Sequence, residues 1–178
     1  ILPKLNTLKK PPHFNFIVIA LLLSTYSLIA QQISVNGNVT INQLIEDNLV
    51  DGCVEVSNVT SNVNGDANGF RSFAEFNRAS SNFPFERGIM LSTGNAESGG
   101  NNLTTTDLSE GSTTWGTDTD LEAALGNNNF LNATSIEFDF VSISNQVQSN
   151  YLLASEEYSG INPYQFPDGL AYLIREAT

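Results

Sequence analysis

The sequence predicts a mainly β domain, an antiparallel β-sandwich of jelly-roll or lectin-like type carrying one or two short helices. Three observations lead there. Asn, Ser and Thr supply 48 of the 148 residues from Gln31 onward, and all 13 glycines fall in the same stretch, a mixture that favours turns and short strands over long helices. Apolar residues recur at a period of two in several short runs, the spacing that puts one face of a strand inward. Helical spacing is confined to two brief segments.

In chain order, the first thirty residues read as an export signal. Lys4, Lys9 and Lys10 precede an unbroken apolar run over 16–23, and Ala30 offers the small residue expected before a cleavage point. Eight apolar residues fall well short of the roughly twenty that span a bilayer as a helix. Residues 1–30 are therefore expected to be a signal peptide and 31–178 one domain, and the strand-like run near Thr178 is expected to continue into a longer chain. A first helix is expected from Thr40, where Thr40 and Gln43 have capping-box spacing and Ile41, Leu44, Ile45 and Leu49 recur at helical intervals. A second is expected from Thr119, with Leu121 and Leu125 on one face and Gly126 placed to stop it. Strands are expected where Val54 and Val56 alternate with polar residues, over 88–92, where Ile136, Phe138 and Phe140 alternate with Glu137 and Asp139, and over 151–154 and 170–174. Ile136, Phe138, Phe140, Leu152, Leu170, Tyr172 and Ile174 are the core residues these patterns select. The stretch 95–118 lacks periodicity and reads as a long loop, either functional or unstructured.

Charge excludes whole classes of function. Beyond Gln31, four arginines face nineteen carboxylates, a net charge of −15 for that segment. Such a surface repels phosphate backbones and anionic lipid, which are bound by clustered Lys and Arg, so neither nucleic acid nor lipid is an expected partner. With every lysine and His13 confined to the first thirty residues, this segment builds no Ser-His-Asp triad, His-ligated zinc, Schiff base or phosphate-binding lysine loop. Cys53 stands alone and forms no internal disulfide; a small buried hydrophobe is the simplest role for it.

What remains is oxygen chemistry. Calcium takes six to eight hard oxygen ligands, and Asp118, Asp120 and Asp168 are the leading candidates, with Glu156 and Glu157 next. The competing role for Asp118 and Asp120 is to cap the second helix and favour its dipole. Adjacent Glu156 and Glu157 also raise a glycosidase reading, but neighbours on a strand point to opposite faces, so a shared cleft would need a bulge or turn. The segment 167–174 (P-D-G-L-A-Y-L-I) resembles the D-G-L-A-F-F-L run of legume-type lectins, a resemblance that implies an aspartate accepting hydrogen bonds from sugar hydroxyls. The alternative is an ordinary turn entering a strand. Tyr151, Tyr158, Tyr164 and Trp115 are candidates for stacking on sugar faces or for the core.

Three blocks in order, 88–94 (G-I-M-L-S-T-G), 136–140 (I-E-F-D-F) and 154–158 (A-S-E-E-Y), followed by the D-G-L-A-Y-L-I run, are similar to the choice-of-anchor L domain. Asp118, Asp120 and Leu121 match an acidic D-x-D-L element associated with it. The resemblance covers about residues 45 to 178, and it departs at Phe166, Pro167 and Asp168, where the family usually has Phe or Tyr before Asn-Asp. It implies an exported protein of Bacteroidetes or other bacteria, secreted or held at the cell surface, with the domain near the N-terminus of a longer chain. The expected function is a noncatalytic module for adhesion or glycan binding, stabilised by calcium, whose partner is a surface glycan or protein and whose ligand-binding residues are Asp168, Gly169, Glu156, Glu157 and Tyr158. The alternative is a carboxylate-based glycan hydrolase or an accessory domain of one.

Overall fold

The computed structural model describes residues 32–50, 52, 54–69, 71–101, 108, 115–128, 130–155 and 168–176. The signal expected over 1–30, Cys53, Glu156, Glu157, Tyr158 and Tyr164 lie outside them. Five strands are described: β1 (Ser34–Asn36), β2 (Val54–Thr60), β3 (Phe73–Asn77), β4 (Arg87–Leu91) and β5 (Glu137–Ser142). They form two antiparallel sheets, a three-stranded one in the order β1-β3-β4 and a two-stranded one of β2 and β5. The class is mainly β, as the composition predicts.

The three-stranded sheet carries the best-buried residues. Val35, Ala74, Phe76 and Ala96 form a cluster, against which Ile33, Phe83, Phe85 and Met90 pack. Phe76 and Phe83 meet edge to face, ring centroids 5.3 Å apart, and Phe83 meets Phe85 likewise at 6.0 Å, the arrangement that the ring quadrupole favours. Across the ladder Phe76 opposes Gly88. A β-carbon at Gly88 would sit 2.9 Å from the Phe76 ring, so the glycine of the 88–94 block leaves the room that the ring occupies.

Strand β3 buries Phe73, Ala74 and Phe76, hence both faces at once. It therefore shows no period-two signal, and the sequence reading missed it together with the three-residue β1. Strand β2 is longer than Val54 and Val56 alone indicate. It runs past a register shift between Ser57 and Thr60, where Asn58 takes φ 53° and its amide donates to Asp139 Oδ2 at 2.6 Å. Asparagine tolerates the left-handed region better than most residues, which localises the bulge there.

Both helices start where expected. The first, α1 (Ile41–Gln43), has the capping box: Gln43 N–H donates to Thr40 Oγ1, and Thr40 N–H to Gln43 Oε1 at 3.1 Å. It runs on as a wider turn over Leu44–Leu49 that buries Leu44 and Ile45 completely. The second, α2 (Thr119–Leu125), is described below. Among the described residues no helix is long and apolar enough to cross a membrane.

Two expectations are corrected. The segments 151–155 and 168–174 are not strands among the described residues, and Phe140, Leu152, Leu170, Tyr172 and Ile174 are exposed, while Ile136 and Phe138 are half-buried. Apolar alternation shows that a segment has a face to bury; a ladder also needs a neighbour's N–H and C=O groups in register, and among the described residues these two runs have none. They line an open cleft instead. The stretch 95–118 is also not wholly loop: Asn95 caps a 3-10 turn over Ala96–Gly99, and this turn fastens β1. Glu97 Oε1 accepts from Gly37 N–H at 2.8 Å, and the Asn101 side chain bonds Val35 on both sides of its backbone.

Candidate functional site

The site is built on an excursion whose base is tied shut. Asn132 N–H donates to the Trp115 carbonyl at 3.2 Å and Ala133 N–H to the Gly116 carbonyl at 3.1 Å, so residues 117–131 leave and return at one point. Thr134 Oγ1 donates to the Ser92 carbonyl at 2.8 Å, and Ser135 N–H to the Val63 carbonyl at 2.9 Å. These bonds tie the returning chain to residues just after β4 and β2. Trp115 is buried at the base, its indole N–H donating to the Ala133 carbonyl. That settles its role as structural rather than as a stacking surface.

Within the excursion, Asp118 caps α2. Its Oδ1 accepts from Asp120 N–H at 3.0 Å and from Leu121 N–H at 2.9 Å, satisfying two of the donors that a helix start leaves open. Gly126 ends the helix at φ 65°, a conformation glycine adopts without penalty. The chain then turns through Asn127 and Asn128 towards Phe130.

Here the segment beginning at Asp168 comes in against α2. A β-carbon on Gly169 would lie 2.6 Å from Leu125 Cδ1 and 2.9 Å and 3.0 Å from two atoms of the Phe130 ring. Glycine allows this approach without displacing either side chain, which gives the Asp-Gly pair a steric reason. Between the two segments opens a cleft of about 420 Å³, lined by Leu125, Asn127, Phe130, Tyr151, Leu153, Asp168, Gly169 and Leu170. Its walls combine apolar side chains with one carboxylate and one amide. On its rim Tyr151 meets Tyr172, ring centroids 5.6 Å apart and tilted by 53°, with 62% and 57% of the two residues exposed. A second, more open hollow of about 450 Å³ lies on the other flank of α2 between Thr119, Glu122 and Asn128; a single helix face and its trailing loop line it.

Of the residues singled out from the sequence, Asp168 and Gly169 fall in the cleft together with Tyr151. Glu156, Glu157 and Tyr158 lie outside the described residues. Asp118 and Asp120 sit at the start of α2, Asp118 as its cap and Asp120 exposed. Among the described residues no group of three or more His, Cys, Asp or Glu side chains is placed to hold a metal ion. The other carboxylate pair has separate contacts: Glu137 lies 3.9 Å from Arg175 in an exposed ion pair, and Asp139 accepts from Asn58. Neither lines the cleft.

The sequence reading missed Asn127 and Phe130. Asn127 opens a run of three asparagines after the helix stop, a signal that marks a loop without showing what faces it. Phe130 lies in no periodic pattern, so only the return of the chain at Ala133 reveals its place.

A family model described as the choice-of-anchor L domain matches residues 32–178, nearly the whole segment after the expected signal. Comparison with curated proteins and with solved structures gave no match. The chain thus belongs to the choice-of-anchor L domain family, whose members are modules of exported or cell-surface proteins.

Proposed function

We propose that this domain is a noncatalytic binding module that holds a glycan in the cleft between α2 and the segment beginning at Asp168. The observation that carries the reading is one juxtaposition: Asp168 and Gly169 share a cleft with Asn127, Phe130 and Tyr151. A carboxylate accepts several hydrogen bonds and an amide both donates and accepts, which is what vicinal hydroxyls require. Aromatic side chains cover the apolar C–H face of a sugar ring at low conformational cost. A pocket of largely apolar walls with a few converging polar groups is the usual form of a small-ligand site.

Calcium is a separate element of the proposal. Both cap bonds of Asp118 end on Oδ1, so Oδ2 takes no part in the cap, and Asp120 is exposed in the first turn. The nineteen carboxylates of the chain favour a divalent cation by composition.

The purified exported protein, applied to an immobilised glycan array, is expected to bind a defined subset of glycans, and Asp168→Ala is expected to abolish the signal with the far-ultraviolet circular dichroism unchanged. Equal binding by the variant would remove the cleft from the proposal. Glycan cleavage lost on Glu157→Gln would instead establish the hydrolase.

A further inference from the structure

Resting on the glycan-binding reading, the geometry points to a particular ligand: a neutral oligosaccharide of two or more units, one ring held in the cleft and the next laid on the Tyr151–Tyr172 pair.

Chain length follows from size and continuity. At about 420 Å³ the cleft is near the lower end of the roughly 300–1,000 Å³ over which small-ligand pockets range. It holds a terminal or internal ring and leaves the remainder of a chain outside. The surface just outside is aromatic. Tyr151 belongs to both places, lining the cleft while its ring meets that of Tyr172, so a chain leaving the cleft along that wall passes directly onto Tyr172. More than half of each tyrosine is exposed, and the 53° tilt between the rings presents two aromatic faces at an angle, which suits successive rings of a bent chain better than a flat ligand.

Neutrality follows from charge. The described lining contains one carboxylate, Asp168, and no Arg, Lys or His. The chain as a whole carries −12. Among the described lining residues no basic side chain is placed to meet the carboxylate of a uronic or sialic acid, and the net negative charge of the chain disfavours an anionic ligand further. A cationic peptide is the competing occupant, since lysine and arginine also stack on aromatic rings. One carboxylate and one amide beside two aromatic side chains provide for a single positive charge at most, whereas an amide that both donates and accepts suits a hydroxyl, which does the same.

The test uses the exported protein on an array that displays neutral, sialylated and uronic-acid glycans of one to six units together with arginine- and lysine-rich peptides, followed by titration with the selected glycan and its component monosaccharide. The expected result is selection of neutral glycans of two or more units, at least tenfold tighter binding than the monosaccharide, and loss of that gain in Tyr172→Ala but not in Tyr172→Phe. Preference for acidic glycans, equal affinity for one and several units, or a full chain-length gain in Tyr172→Ala would overturn the inference while leaving glycan binding in place. Capture of the peptides, or no glycan bound at all, would overturn the glycan reading as well. The chain-length comparison is made on the unaltered protein and does not depend on how any variant folds.

Discussion

The side chain of Asn101 pairs with Val35 as a neighbouring strand would. Val35 N–H donates to Asn101 Oδ1 at 2.7 Å, and Asn101 Nδ2 donates to the Val35 carbonyl at 2.6 Å. Strand β1 lies at the edge of its sheet, with Val35 opposite Phe76 on β3, and the free edge of such a strand is a template for unwanted pairing. One primary amide occupies that edge at its middle residue. Gly100 brings the turn close enough for this, since a β-carbon there would overlap a Val35 methyl group.

Replacing Asn101 by Ala removes both bonds and leaves the Val35 peptide partly buried without them. The expected loss is about 1–2 kcal/mol, or a fall in melting temperature of roughly 2–6 °C for a domain of this size. Hydrogen exchange at the Val35 amide reads the same event locally and is expected to accelerate. An unchanged exchange rate would show that another group protects the edge.

Gly169→Ala places a methyl group against Leu125 and Phe130. Leu125 is 42% exposed and yields readily, so the stability cost is expected near the low end of overpacking, about 1 kcal/mol. The larger effect falls on the cleft, whose two walls are pushed apart. Glycan affinity is expected to drop at least tenfold; unchanged affinity would show that the ligand does not feel this wall.

The two roles of Asp118 separate by substitution. As a cap it tolerates Asn and not Ala: Asp118→Ala is expected to cost about 1 kcal/mol and Asp118→Asn a few tenths. For the calcium proposal at the start of α2, the melting temperature is expected to rise saturably with calcium, not with magnesium at equal ionic strength, and the rise is expected to vanish in Asp120→Asn. Superimposed melting curves in calcium, magnesium and chelator would return the acidic residues to caps and solvated surface.

Legibility in the sequence followed the physics of each signal. Thr40, Gln43, Asp118 and Gly126 act within a few residues of themselves, so helix starts and the α2 stop were readable one residue at a time. Strands β4 and β5 were visible through compact or alternating apolar runs. Strand β3 was not, because Phe73, Ala74 and Phe76 bury both its faces and erase the period. Leu152 and Tyr172 misled for the opposite reason: their runs are strand-like, yet whether such a run is buried depends on what lies beside it. The cleft was half legible. Asp168 and Gly169 stood out by motif, whereas Asn127 and Phe130 join them only through the closure of the excursion at Trp115 and Ala133.

Export is tested at the N-terminus. Sequencing the protein recovered from outside the cytoplasm is expected to begin at Gln31, after removal of the Lys-rich start and the apolar run over 16–23. A chain retained in the cytoplasm with Lys4 still present would remove the signal-peptide expectation.

The most direct measurement of the central claim is amide chemical-shift mapping of the isotope-labelled protein during titration with the glycan that the array selects. Perturbations are expected to concentrate at Asn127, Tyr151, Asp168, Gly169 and Tyr172, and to leave the β1-β3-β4 sheet unchanged. Perturbations centred on that sheet, or on the Thr119 and Glu122 flank of α2, would contradict the assignment of the cleft as the binding site.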